Sequence, residues 1–168
     1  MRIGVISDTH VKTEEDLDRL TEIVHCHFKE INIILHSGDM VDLRVLEVLK
    51  DVAKTVAVRG NMDFPDTKKV LPEKIVVEVG GCKIGMMHGW GSPVDLPQRV
   101  RREFSDVDCI VFGHSHSFYN QVIDNVLLFN PGSAMDRAFT GQNSLGFLDI
   151  DESTDKNCGS ISGKIVKI

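Results

Sequence analysis

The chain has 168 residues, 42% of them hydrophobic and 26% charged, with 14 Gly and 5 Pro. These values suit a soluble globular protein, exclude a disordered, collagen-like or coiled-coil chain, and fit one domain, read as residues 1–168. Against 25 acidic residues stand 19 basic ones, a formal charge of −6, which argues against broad, sequence-independent binding of nucleic acid.

A small phosphate substrate stays compatible with that charge, because bound metal reverses the local field. A domain of this size buries roughly two thirds of its unfolded surface and needs no covalent staples. Cys26, Cys82, Cys109 and Cys158 form no C-x-x-C pair and read as reduced thiols. The chain opens directly on a strand-like run, without a basic segment and apolar core ahead of it, and no apolar stretch approaches a membrane span. A cytoplasmic protein is the expectation.

In chain order, Arg2–Ser7 is an apolar run that leads into Asp8. Thr13-Glu-Glu-Asp16 spells a capping box and opens a helix with Leu17, Leu20, Ile23 and Val24 at helical spacing. Ile31–Leu35 leads into Asp39, Leu43–Leu49 is a short helix, and Val56–Val58 leads into Asn61. Lys74–Val79 and Cys82–Met87 flank Gly80-Gly81 as a hairpin and lead into His88. Asp95–Phe104 reads as a helix with Pro97 in its first turn, and Cys109–Phe112 leads into His114. Gln121–Ile123 and Val126–Phe129 flank Asp124-Asn125 as a second hairpin. Ser144–Asp151 and Ser160–Ile168 read as closing antiparallel strands joined by a polar loop. Continuous apolar runs fit strands buried on both faces. Strand–helix–strand at the start predicts parallel βαβ units, so the fold class is α/β with one mixed sheet or two.

In an open α/β sheet, ligands bind beyond the carboxyl ends of the strands. Five runs deliver Asp, Asn or His there, in the strings Asp8-Thr9-His10, Gly38-Asp39-Met40-Val41-Asp42, Gly60-Asn61-Met62-Asp63, His88-Gly89 and Gly113-His114-Ser115-His116. One such string alone reads as a turn; five at strand ends do not. The donors are O and N without thiolate, which selects against a closed Cys-rich zinc site. Mn, Fe, Zn, Co and Ni all suit them, and donor type does not choose among these. Seven donors exceed the need of one ion with an open position and fit two ions sharing a carboxylate.

The ordered strings D-x-H, G-D-x-x-D, G-N-x-D, H-G and G-H-x-H resemble those of the calcineurin-like metallophosphoesterases. The short chain and Asn130-Pro-Gly-Ser133 resemble the small bacterial and archaeal phosphodiesterase branch, and the resemblance runs from Ile3 to about Ile150. It implies two mixed β-sheets packed face to face with helices outside, a four-layer sandwich. It also implies a cofactor of two divalent metal ions, manganese first, with Ni, Fe, Zn or Co as alternatives. Asp8, His10 and His116 would hold the first ion, Asn61, His88 and His114 the second, and Asp39 would bridge them. Asp8 and His10 lie two apart on what is expected to be extended backbone, so both point one way; so do His114 and His116. A water between two such ions loses a proton near neutral pH, and the hydroxide attacks the phosphorus of a phosphate ester. A neutral Asn61 leaves the centre more positive than Asp would and favours an anionic substrate. The implied partner is a small phosphate ester, with neither nucleic acid nor membrane expected and a homo-oligomer compatible.

Other polar residues have two readings each. Asp42 orients a ligand His or serves a helix N-terminus. His36 orients a ligand or is a plain buried histidine, and His25 and His27 face different ways on a surface helix. Arg59 and Arg137 clamp phosphate or form surface ion pairs. Trp90 and Phe64 wall the pocket or pack in the core. Gln98–Glu103 is a solvated basic face rather than a nucleic-acid patch. The chain departs from the family pattern twice. Met62 stands where many members carry a histidine that protonates the leaving group, and Trp90 where many carry another histidine. No side chain is assigned as catalytic, with Asp63 and Arg137 as candidates only. The alternative is a non-catalytic, protein-binding scaffold on the same fold, as in the retromer-subunit branch of the family. A dinuclear nuclease is disfavoured by the lack of a basic surface.

Overall fold

The structure is a computed structural model and describes residues 1–136, 140–151 and 158–168. Strand β1 (Arg2–Ile6) sets the layers by simple alternation. Ile3 and Val5 face a core shared with the second sheet, whereas Ile6 faces a core shared with helices. Helix α1 (Glu14–His27) begins with the expected box: Asp16 N–H donates to Thr13 Oγ1 at 3.1 Å and Thr13 N–H to Asp16 Oδ2 at 3.0 Å. It buries Leu20 and Val24. Strand β2 (Ile33–His36), helix α2 (Arg44–Val52) and strand β3 (Lys54–Ala57) complete two parallel crossovers. Helix α3 (Pro65–Val70) is absent from the sequence reading; it is a turn and a half long and opens on a proline whose fixed φ suits a first turn.

Strands β4 (Lys74–Val79) and β5 (Cys82–Met87) form the expected hairpin, with φ of 58° at Gly80 and 77° at Gly81. Helix α4 (Leu96–Arg102) follows, shorter than Asp95–Phe104 because Asp95 is left-handed. Strands β6 (Cys109–Val111), β7 (Tyr119–Ile123) and β8 (Val126–Asn130) come next, with Asp124 and Asn125 both at positive φ in the second hairpin. Strands β9 (Ser144–Asp151) and β10 (Ser160–Lys167) pair antiparallel. The expected loop between them lies largely outside the described residues.

The described strands form two mixed five-stranded sheets, in the orders β10-β9-β1-β2-β3 and β4-β5-β6-β8-β7. Ile3, Val5, Leu35, Ile84, Val111 and Phe129 meet between them. Helices α1 and α2 cover the outer face of the first sheet, and α4 that of the second. This is the four-layer sandwich the resemblance implies. Among the described residues, no helix is long and apolar enough to cross a membrane.

The expectation of reduced thiols is overturned. Cys82 and Cys158 are joined in a disulfide, with Cα atoms 4.4 Å apart, whereas Cys26 and Cys109 are free. Cys82 opens β5 on the inner face of one sheet, and Cys158 precedes β10 of the other. The fold therefore juxtaposes two cysteines 76 positions apart, which no local spacing announces.

Candidate metal centre

Strands β1 and β2 run parallel, and the loops beyond their carboxyl ends continue to hydrogen-bond. Asp8 N–H donates to Gly38 O at 3.0 Å, His10 N–H to Asp39 O at 3.0 Å, and Val11 N–H to Met40 O at 3.2 Å. These bonds set Asp8, His10 and Asp39 side by side. The backbone there is not extended, contrary to the expectation. Asp8, His10, Asp39, His114 and His116 have φ of 52°, 48°, 54°, 69° and 56°. A left-handed non-glycine residue costs roughly 1–2 kcal/mol and persists where surrounding contacts over-determine it. Asp8, His10 and His116 nevertheless come within mutual reach, while His114 turns to Asn61.

Each carboxylate has one oxygen committed and one directed at imidazoles. Asp8 Oδ2 accepts from Ser7 Oγ at 2.6 Å and His114 N–H at 3.2 Å. Asp8 Oδ1 is buried without a hydrogen-bond partner and lies 3.3 Å from His116 Nε2 and 3.9 Å from both His10 Nε2 and His88 Nε2. Asp39 Oδ1 accepts from Met62 N–H at 2.7 Å, and its Oδ2 lies 3.2 Å from His88 Nε2 and 3.9 Å from His10 Nε2.

The imidazoles are oriented from behind. His88 Nδ1–H donates to Ser37 O at 2.8 Å, which turns Nε2 towards the carboxylates. His114 Nε2–H donates to Gly91 O at 2.8 Å, so its Nδ1 lone pair faces Asn61 Oδ1 at 3.0 Å. His10 and His116 approach through their Nε2 atoms at 3.2 Å, and His116 Nδ1 lies 3.5 Å from Asp136 Oδ2. All seven predicted donors thus line one centre. Asp8, His10 and His116 lie within mutual reach of one ion, as do Asp8, Asp39 and His88.

The electrostatics follow from this crowding. Burial pushes the Asp8 carboxyl up, but His88, His116 and the Ser7 hydroxyl outweigh it and hold the group below its usual range. Burial likewise opposes Asp39, which His88 and the Met62 N–H keep low. His88 is pushed down by burial yet carried up to about 9 by Asp8 and Asp39, and His116 is raised by Asp8 against the same opposition. Burial lowers His10. Carboxylate oxygens and imidazole nitrogens that converge in this way fit a divalent cation, which would take the place of the protons that the raised His88 and His116 hold. The buried, unpartnered Asp8 Oδ1 is the clearest such atom.

Several residues that the sequence left open resolve as supports. Asp63 accepts from Val41 N–H and Gly60 N–H, both at 2.6 Å, and so ties the Asp39 loop to the Asn61 loop. With both oxygens committed it is poorly placed to protonate a leaving group. Lys68 Nζ donates to Asn61 O at 2.7 Å, a contact without a sequence signal. His36 is fully buried, accepts from Gly38 N–H at 3.2 Å and meets Thr9 Oγ1 at 3.1 Å; burial pushes it down to about 4. Asp42 accepts from Arg44 N–H at 2.9 Å and pairs with its guanidinium, the helix-terminus reading. Arg59 forms an ion pair with Glu73 at 2.7 Å. Arg99 donates to the carbonyls of Trp90, Ser92 and Val94 and fixes the loop after His88. Trp90, 45% exposed, lines a groove with Asn61 and His88, whereas Phe64 is exposed on the surface. Arg137 lies outside the described residues.

A family model described as "Calcineurin-like phosphoesterase superfamily domain" matches residues 1–153, and the chain belongs to that superfamily. A probable metallophosphoesterase of Methanocaldococcus jannaschii is 39% identical over 139 residues, 79% of this chain and 68% of the relative. Among solved structures, an archaeal phosphodiesterase superposes with a TM-score of 0.71 at 25% identity, covering 99% of this chain and 100% of that one. A wild-type Vps29 from Entamoeba histolytica, solved with Zn2+, gives a TM-score of 0.66 at 26% identity over 99% of each chain.

Proposed function

We propose that the chain is a metal-dependent phosphodiesterase acting on small phosphate esters. The carrying observation is the split use of Asp8 and Asp39, each with one oxygen fixed by hydrogen bonds and the other turned towards an imidazole nitrogen. Asp8, His10 and His116 would hold one divalent ion, Asn61, His88 and His114 a second, and Asp39 would contribute to both. Manganese heads the candidates, with Ni, Fe, Zn and Co sharing the donor preference. When bound, such a pair activates a water for attack on phosphorus and offsets the charge that develops.

The chain's own residues prepare and aim that chemistry. Ser37 and Gly91 orient His88 and His114, so that Nε2 of the first and Nδ1 of the second are the nitrogens that would meet a metal. Asp63 and Lys68 hold the Asn61 loop against Asp39, and Ser7 holds Asp8. Met62, 52% exposed, lines the cavity above the centre and has no proton to give to a departing alkoxide. A stable leaving group is therefore part of the proposal.

The test is hydrolysis of bis(4-nitrophenyl) phosphate by the purified protein, stripped of metal and then reloaded with Mn2+, with metal content measured alongside. Activity that appears with metal and is lost more severely in Asp39→Ala than in Asn61→Ala supports the reading, because only the first change affects both ions. The likeness to Vps29 favours one other reading, a protein-binding scaffold on this fold. A protein that takes up metal yet hydrolyses neither aryl diesters nor aryl monoesters would favour that scaffold.

A further inference from the structure

The donor set forms only part of a larger cavity of about 640 Å³, which also reaches Lys12 and Arg19 of the α1 side and Met62 and Met135. That volume falls within the range of sites that enclose a whole small ligand, about 300–1,000 Å³, and exceeds what one phosphate fills. The outer wall therefore leaves room for more than a phosphate.

That wall carries two cations, Lys12 and Arg19. Six basic residues (Arg2, Arg44, Arg59, Lys69, Lys74 and Lys83) pair with carboxylates, whereas the other described ones, Lys12 and Arg19 among them, do not; what sets these two apart is their place in the cavity. Among the described residues Lys12 has no ion pair, and its ammonium is exposed at the cavity. Arg19 lies one turn along α1 and faces Asp16. That carboxylate is already committed to Lys12 N–H at 2.9 Å and Thr13 N–H at 3.0 Å. The cavity's other acidic groups are Asp39, within the metal centre, and Asp136, beside His116. A protein of net charge −6 thus presents two cations, with the single carboxylate of Asp16 between their segments, beside its candidate metal centre.

We propose that Lys12 and Arg19 form a subsite for a second anionic group, phosphate or carboxylate, carried by the substrate. The preferred substrates are then phosphoesters with a further negative charge, and the methionines contact the apolar spacer between the two groups. This inference rests on the phosphoesterase reading, and its test keeps the two apart.

Binding of thymidine 3′,5′-bisphosphate and of thymidine 5′-monophosphate to the Mn2+-loaded protein is measured by calorimetry. The bisphosphate is expected to bind about tenfold more tightly, the combined effect of two screened charge contacts. A statistical factor of about two, from either phosphate reaching the metals, is too small to produce this. Lys12→Ala/Arg19→Ala should bring the ratio close to that factor, Lys12→Glu/Arg19→Glu should abolish the preference, and Lys12→Arg should keep it. Equal affinities in the wild type, undetectable binding of the bisphosphate, or a tenfold ratio that survives the charge reversal each overturn the subsite. An aryl phosphate or carboxylate series then separates the two anion types. Hydrolysis of bis(4-nitrophenyl) phosphate, run in parallel, reports on the enzyme reading alone.

Discussion

A Cβ on Gly113 would overlap Ser7 Oγ and stand 2.7 Å from Asp8 Oδ2 and 3.2 Å from His88 Nδ1. Gly60 is in the same position against the Asp39 carboxylate and backbone. The glycines of the G-H and G-N strings are therefore required by close approach of the two carboxylates. Gly113→Ala must displace the Ser7 hydroxyl that fixes Asp8. It should weaken metal binding about tenfold to a hundredfold, as loss of an orienting contact does. Competition with a chromophoric chelator measures this, and an unchanged affinity would remove the argument. Met62 supports a second prediction at this scale. General acid assistance is typically worth about 10²–10⁴ in rate, so the wild type should depend steeply on leaving-group pKa. Met62→His should help poor leaving groups most, as kcat/KM across a series of aryl and alkyl diesters would reveal. A wild-type rate indifferent to the leaving group, with chemistry limiting, would falsify the assignment of an empty acid position.

Two parallel pairs, β1 with β2 in one sheet and β5 with β6 in the other, bring their carboxyl ends to one place, and with them two carboxylates and four imidazoles. In the metal-free protein this convergence couples stability to pH. His88 rises to about 9 and His116 is raised also, above the ordinary value of 6.5. A raised folded-state pKa contributes stability that is complete below about 6.5 and is lost as pH climbs through the folded value. His10 and His36 are lowered, and Asp8 and Asp39 are lowered, so their contributions change below pH 6.5. Between pH 6.5 and 9 the metal-free protein should therefore lose on the order of a few kcal/mol. The metal-loaded one should gain, because ions displace those protons. Thermal scans with and without chelator measure both slopes; a metal-free Tm that rises with pH over that window contradicts the burial-and-charge account. Much of this convergence was legible in the sequence. Apolar runs ending on Asp, Asn and His identify both the strands and the donors, since strand burial and ligand chemistry are local. What stayed hidden is tertiary. The left-handed φ at five of the seven donors depends on loop-to-loop hydrogen bonds, and the Lys68 and Asp63 contacts depend on how two loops meet.

For the whole molecule, the question is what keeps the two sheets in register far from the centre. Cys82 begins the strand that ends beside His88, six residues or about 17 Å along an extended chain. Cys158 precedes β10, whose first residue pairs with the end of β9 that lies beside the start of β1. The disulfide therefore joins the sheets at the end of the sandwich opposite the metal centre. Disulfides persist in oxidising compartments and inside hyperthermophiles, which sets this bond against the reduced thiols expected from cysteine spacing alone. Closing a loop of 76 residues is worth about 4 kcal/mol through the entropy of the unfolded chain. At about 2–4 °C per kcal/mol for a chain of this size, reduction should lower Tm by roughly 10 °C. Cys158→Ser should reproduce the loss and abolish the response to reductant. Because the bond lies at the far end, metal affinity and kcat at 25 °C should stay within about twofold in both cases. A Tm indifferent to reductant would mean that the two cysteines do not pair in solution. A Tm that falls together with metal affinity would mean that the two ends of the sandwich are coupled through the inter-sheet core.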